Sequence, residues 1–298
     1  MEYLWVFLVI MSGLFFALKD VLAKKLLRKN VKPMQLVFEE YAFLLFLSLF
    51  LLFPYIDFNS FAFMWENYLM KAFSLGIFTI IYFELLKKYE ISEISPLLNL
   101  SPIFLIVLSG LVLGDIITNI QLIGIIIVII STFILEIIIS NHNFIRPHKI
   151  HFDLIKQANW KFIFMVFIMI ITISISFIYD SIILENVNVQ TNLFFTSLLI
   201  FLILLIYYAK EGKFFKAIKF IGKEPETLII SIFMIISSFL LLYAISMPGV
   251  ILALVVPLRR VSTLFSAILG GFYFHEKHIK QKLTSTVAMI LGILLVVL

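Results

Sequence analysis

Long apolar runs, each bounded by a short polar cluster, dominate the chain. A helix crosses the hydrocarbon core of a bilayer with about 20 apolar residues. A window of that length picks out spans at 2–22, 35–54, 67–86, 94–114, 119–139, 161–183, 190–209, 227–247, 250–274 and 281–298. Apolar and polar residues do not alternate within them, which argues against the strands of a membrane barrel. The pattern therefore predicts an all-α polytopic membrane protein with ten transmembrane helices.

Composition narrows the function classes. At 62% hydrophobic and 14% charged residues, too little polar surface remains to clothe a soluble body. The chain has no cysteine, so disulfides, thiolate metal sites and cysteine nucleophiles are excluded. Residues 2–22 lack a basic leader region and a small-residue cleavage site, and read as the first membrane helix. No GxSxG, HExxH, P-loop or dinucleotide-binding glycine pattern is present, so no cofactor and no ATP hydrolysis by this chain are expected. The formal charge of +5 is confined to clusters between spans, and no nucleic-acid partner is expected. The expected contacts are membrane lipid and a small-molecule substrate, with the chain acting as a monomer or homodimer.

The basic residues sort by loop. Lys24, Lys25, Arg28, Lys29 and Lys32 follow span one, and Lys87 and Lys88 follow span three. Arg146, Lys149, Lys156 and Lys161 follow span five; Lys210, Lys213, Lys216, Lys219 and Lys223 follow span seven; Lys277, Lys280 and Lys282 follow span nine. Even-numbered loops and both termini have none. By the positive-inside rule the odd loops are cytoplasmic and the protein sits in the cell (plasma or inner) membrane. Five spans per half require the second half to enter the bilayer inverted, so matching loops should differ in charge, as they do. The expected layout is a first five-helix repeat at 1–140, a basic linker at 141–160 and a second, inverted repeat at 161–298.

An offset of 161 lays residues 92–115 over 253–276 without a gap. It pairs Pro96 with Pro257, Leu97 with Leu258, Ser101 with Ser262, Phe104 with Phe265, Leu108 with Leu269 and Gly110 with Gly271, and ends each block on an acid, Asp115 or Glu276. The same offset pairs Tyr82 with Tyr243. Proline, glycine, tyrosine and acid coinciding in register mark an internal repeat. A proline-started, small-residue helix ending in glycine and acid, followed by a last apolar helix and occurring twice in ten spans, resembles the EamA family of the drug/metabolite transporter superfamily. The resemblance implies an inverted-repeat carrier with a central cavity open alternately to either side, moving metabolites, amino acids, nucleotide sugars or drugs. It also implies cytoplasmic termini, where the loop charges here place them outside, and a basic residue near the start of span two, where this chain has Glu39 and Glu40.

Charge inside a span costs at least about 2.5 kcal/mol unless it meets a wet cavity or a partner. Arg259 and Arg260 lie about 12 to 15 Å into span nine at 1.5 Å per residue. Adjacent residues are about 100° apart around a helix, so one arginine is expected to meet substrate and the other an acid. Pro257 removes a backbone hydrogen bond beside them. The repeat places Asn99 opposite Arg260, and Tyr82 and Tyr243 are expected to line the same cavity. Asp20, Asp180, Glu39 and Glu84 are the candidates for proton coupling or ion pairs; Glu40, Glu136 and Glu185 are further acids within or near spans. Ser109, Gly110, Ser266, Gly270 and Gly271 read as small-residue surfaces for close helix packing. The histidines fall in loops or at helix ends, and the pairs His275/His278 and His148/His151 lack a third ligand, so no metal site is expected.

Dispersed acids and deep guanidinium groups fit a secondary-active transporter of the alternating-access type, its substrate a small organic molecule with an anionic group. A membrane-embedded enzyme acting on lipid or isoprenoid substrates, or a lipid-linked sugar flippase, is the alternative. No catalytic residues are expected.

Overall fold

A computed structural model describes residues 3–29, 31–88, 98, 101–141 (backbone only over 132–141), 160–262, 265–266, 269, 291–292 and 295. Every regular element among them is helical. The helices are α1 (Leu4–Arg28), α2 (Pro33–Leu52), α3 (Phe58–Lys88), α4 (Ser101–Val112), α5 (Asn119–Asn141), α6 (Trp160–Leu184), α7 (Val189–Lys210), α8 (Pro225–Ile245) and α9 (Leu252–Arg259). Short helical turns occupy Phe53–Tyr55 and Phe214–Ile218. Six of the helices, α1 to α3 and α6 to α8, are long and apolar enough to cross a membrane. Large side chains such as Phe46, Phe50, Phe63, Phe73 and Phe167 point outward and are exposed. A water-soluble body would not leave so many aromatic rings uncovered; lipid is the solvent for this surface.

Two helices outrun the apolar window. α1 continues six residues past residue 22, through Lys24, Lys25 and Arg28, which hydropathy alone assigns to the loop. Cations suit the negative end of a helix, and Lys24 is buried, its ammonium donating to the carbonyl of Leu86 at 2.6 Å. α3 begins at Phe58, nine residues before the expected span, and bends at Met64 (φ −121°). Pro33 and Pro225 start α2 and α8 at positions where the missing N–H has no intrahelical partner to lose. Asn188 caps α7 by accepting from the Thr191 N–H at 2.8 Å.

The packing follows one rule. α1 packs most extensively on α8 and α3 on α6; α2 lies on α7, on α8 and on α3, and α7 lies on α3; α4 meets α6 and α9, and α9 meets α1. Exchanging α1 with α6, α2 with α7, α3 with α8 and α4 with α9 maps the main contacts onto one another. The α1–α8 seam is drawn tight by reciprocal serines: Ser12 Oγ donates to the Ser237 carbonyl at 2.8 Å and Ser237 Oγ to the Ser12 carbonyl at 2.9 Å.

The ends differ in charge. Lys29 reaches Glu226 at 2.8 Å, Lys24 reaches the end of α3, and Thr227 donates to Glu39 at 3.1 Å. The basic segments after α1, α3 and α7 thus share one end of the bundle. At the other, Asn188 donates to the Tyr55 carbonyl at 2.9 Å and the Asp57 N–H to Thr191 at 2.8 Å, joining two connections without lysine or arginine. It follows that α1, α3 and α7 run toward the basic end, and α2, α6 and α8 away from it.

Close helix approach occurs away from the glycine expected to supply it. Gly110 is exposed, and a Cβ placed on it would stand 3.8 Å from its nearest neighbour, because its face of α4 turns outward. At Gly13 a Cβ would come within 3.2 Å of the Ser262 backbone nitrogen, and at Gly292 within 3.0 Å of the Gly124 carbonyl. Gly270 and Gly271 lie outside the described residues, as do residues 142–159 of the expected linker and nearly all of span ten.

Candidate functional site

A cavity of about 100 Å³, large enough for several ordered waters, lies between the halves. Most of its wall is apolar, including Phe16, Leu44, Phe78, Ile173 and Phe177. Its charged groups are Lys71, Asp180, Arg259 and Arg260.

Both arginines lie at a tightened turn in span nine. α9 stops at Arg259, two residues after Pro257, and the Arg260 N–H turns back to the Pro257 carbonyl at 3.0 Å. The helix resumes at Val261 and Ser262. Arg260 keeps right-handed helical dihedrals, so this is a one-residue tightened turn, and Pro257 separately leaves the Ala253 carbonyl without its intrahelical donor. Both arginines line the cavity wall, and of the two it is Arg259 that lies near acids. Arg259 stacks over Phe16 at 4.8 Å and Phe177 at 5.7 Å, within the electrostatic reach of Asp20 and Asp180. Arg260 Nη2 donates to Ser101 Oγ on α4. Phe16 and Phe177 come from α1 and α6, so one ring from each half lies against the guanidinium.

Asp180 joins a buried polar group that the sequence pattern does not display. Lys71 Nζ lies 2.5 Å from Asp180 Oδ1 and donates to Asn192 Oδ1 at 2.7 Å, while Asn192 Nδ2 donates to Asp180 Oδ1 at 3.1 Å. Thr196 also donates to Asn192. Three helices, α3, α6 and α7, are tied by one ion pair and its amide. A signal for Lys71 exists in the chain: Lys19, Lys71, Arg259 and Arg260 are the basic residues left when every loop cluster is set aside.

The other candidates fall elsewhere. Asp20 is buried beside the cavity, accepting from Tyr82 Oη at 2.8 Å and lying 3.4 Å from Lys19. Tyr82 is buried on that acid and does not line the cavity. Tyr243 is 47% exposed on the outer surface, stacked on Phe239. Its expected place in the cavity is not realised, because its side of α8 faces outward. Glu39 is buried at the α2–α8 seam, accepting from Gln35 at 3.2 Å and Thr227 at 3.1 Å. Glu84 is partly exposed near the end of α3, 4.0 Å from Lys88. Both stand apart from the cavity wall. Asn99 lies outside the described residues. Asp115 accepts from the Ala253 N–H at 3.4 Å, at the start of α9, which gives the acid ending the first repeat block a capping contact. Among the described residues no cluster of three metal-ligating side chains occurs.

Comparison with known proteins bears on this geometry. No curated protein sequence matches the chain. A protein of known crystal structure superposes with a TM-score of 0.71 over 99% of this chain and 96% of its own, at 13% identity, which is a likeness of fold. The model of the EamA-like transporter family matches twice, over residues 3–137 and over residues 160–298. With the family's pattern found twice and spanning nearly its whole length, this integral membrane protein belongs to the EamA-like transporter family.

Proposed function

We propose that the protein is a secondary-active transporter that moves a small organic metabolite with an anionic group, of amino-acid, nucleotide or drug-like kind, by alternating access. The observation that supports this most is the pair of guanidinium groups of Arg259 and Arg260 on the wall of a largely apolar cavity between the halves, where the other charges, Lys71 and Asp180, pair with each other. Planar, always-charged donors in a low-dielectric space suit a carboxylate or phosphate. The tightened turn at Arg260, with Pro257 three residues before it, supports a helix loosened beside the site. Ten spans in two inverted five-helix repeats, 1–140 and 161–298 joined by the linker, are the architecture that goes with this reading. The opposite running of α1 and α6, α2 and α7, and α3 and α8 supports it, as does packing that survives exchange of the halves.

Purified protein in proteoliposomes should take up a member of a panel of amino acids, organic anions, nucleotides and cationic drugs, and Arg260→Ala should lose that flux. Turnover of lipid or isoprenoid substrates without solute uptake would instead identify an enzyme, and uptake unchanged in Arg260→Ala would remove the arginine from the site.

The basic end is assigned to the cytoplasm of the cell membrane by its charge. In this cysteine-free chain a single cysteine at Lys219, in the exposed segment after α7, should resist an impermeant thiol reagent added to intact cells and react once the cells are opened. Labelling before opening would reverse the orientation.

A further inference from the structure

Beside the cavity, but off its wall, α1, α2 and α3 enclose a second set of charges. Lys19, Asp20 and Glu40 are exposed by only 2%, 4% and 1%. The Lys19 ammonium lies 3.4 Å from Asp20 Oδ1 and 3.9 Å from Glu40 Oε1. Phe16 and Phe83 each present a ring 4.9 Å from it, and Tyr82 one at 5.7 Å, so π faces surround a fixed cation.

One cation thus serves two carboxylates, and the carboxylates are not equally supported. Asp20 has the Tyr82 hydroxyl and, across the cavity edge, the Arg259 guanidinium. Both side-chain oxygens of Glu40 lack a hydrogen-bond partner among the described residues. The charged groups facing Glu40 are Lys19, which attracts it, and Asp20, which opposes it, both from α1. The elements packed on α2 bring hydroxyls that go elsewhere: Ser231 of α8 donates to the Glu40 backbone carbonyl, and Thr79 of α3 pairs with Tyr41. From α7, Ser197 meets Ser48, far along α2. A carboxylate stripped of water, without a donor and beside a second carboxylate is the arrangement in which a proton is the missing partner.

We propose that Lys19, Asp20 and Glu40 form a proton-binding site in which Glu40 takes up one proton from water and releases it again. A proton on Glu40 leaves Lys19 and Asp20 as a balanced pair; its release leaves two carboxylates on one ammonium, the state that the incoming positive end of a substrate, or rearrangement around Arg259, would relieve. The site deepens the transport reading by naming the coupling ion, and it stands or falls by a measurement that needs no substrate.

That measurement is infrared spectroscopy of the purified chain in lipid nanodiscs, titrated with pH and with no solute present. The wild type should show a protonated-carboxyl stretch that disappears on raising the pH; Glu40→Gln should lose it, Glu40→Asp should retain it at a changed midpoint, and Glu39→Gln should leave it in place. The same titrating band in Glu40→Gln overturns the site. So does a band that vanishes at fixed pH when sodium replaces choline, which would mark a metal-ion site. If Glu40→Gln does not fold, the shift of the band in Glu40→Asp decides alone: an unmoved midpoint overturns the proposal. In proteoliposomes one proton per cycle converts a one-unit pH gradient into about a tenfold accumulation of solute, an effect that Glu40→Gln should abolish. A band that behaves as expected with no flux of any solute would uphold the site and defeat the transport reading.

Discussion

Arg259→Ala is expected to lower solute flux by about 30-fold or more. The guanidinium lies against Phe16 and Phe177 and within reach of Asp20 and Asp180, so its removal deletes a cation from the cavity wall while each acid keeps its lysine. Losing one charge-assisted hydrogen bond to an anionic solute costs about 2 kcal/mol, and each 1.4 kcal/mol is about tenfold. Arg259→Lys keeps the charge but not the flat face that stacks on the rings, so it should recover part of the flux. Initial rates in proteoliposomes, normalised to inserted protein, give the comparison. An Arg259→Ala rate within a factor of two of wild type would exclude this residue from substrate handling.

The second large effect is on stability. Lys71→Met should destabilise the fold by about 3 to 5 kcal/mol, because it strands the Asp180 carboxylate in a buried site with the Asn192 amide to donate to it but no cation beside it at ion-pair distance. Adding Asp180→Asn should recover most of the loss, since replacing both members of a buried pair is often nearly neutral. Unfolding in detergent monitored for wild type, both single variants and the double variant yields the coupling between the two. If the losses simply add, the pair is not a unit, and the tie between α3, α6 and α7 lies in their apolar packing.

Hydropathy makes the helical membrane class readable because lipid demands continuous apolar length. It misjudges where helices stop, since a buried Lys24 or the stretch from Phe58 lies outside any apolar window yet remains helical. Arg259, Arg260 and Asp180 can be picked out because charge at depth is rare; Lys71 obeys the same rule but stands singly in its span, with no repeat mate or proline to mark it. Tyr243 shows the limit of repeat logic. Equivalent positions share a backbone environment, while the partner that draws a side chain inward is set residue by residue: Tyr82 donates to Asp20, and Tyr243 stacks on Phe239 at the surface. The pairing of Asp180 with Lys71 from α3 and Asn192 from α7 depends on three-dimensional contact that no spacing along one chain displays.

The rings beside Arg259 come one from each half, but the helices that bear them bury different charge: Lys19, Asp20 and Lys24 in α1, and Asp180 in α6. Swapping the halves therefore does not reproduce the buried charge. For a carrier of the kind proposed, inward-facing and outward-facing forms would then differ in energy, so one would be the resting form and the half-saturating solute concentration would differ between the two faces of the membrane.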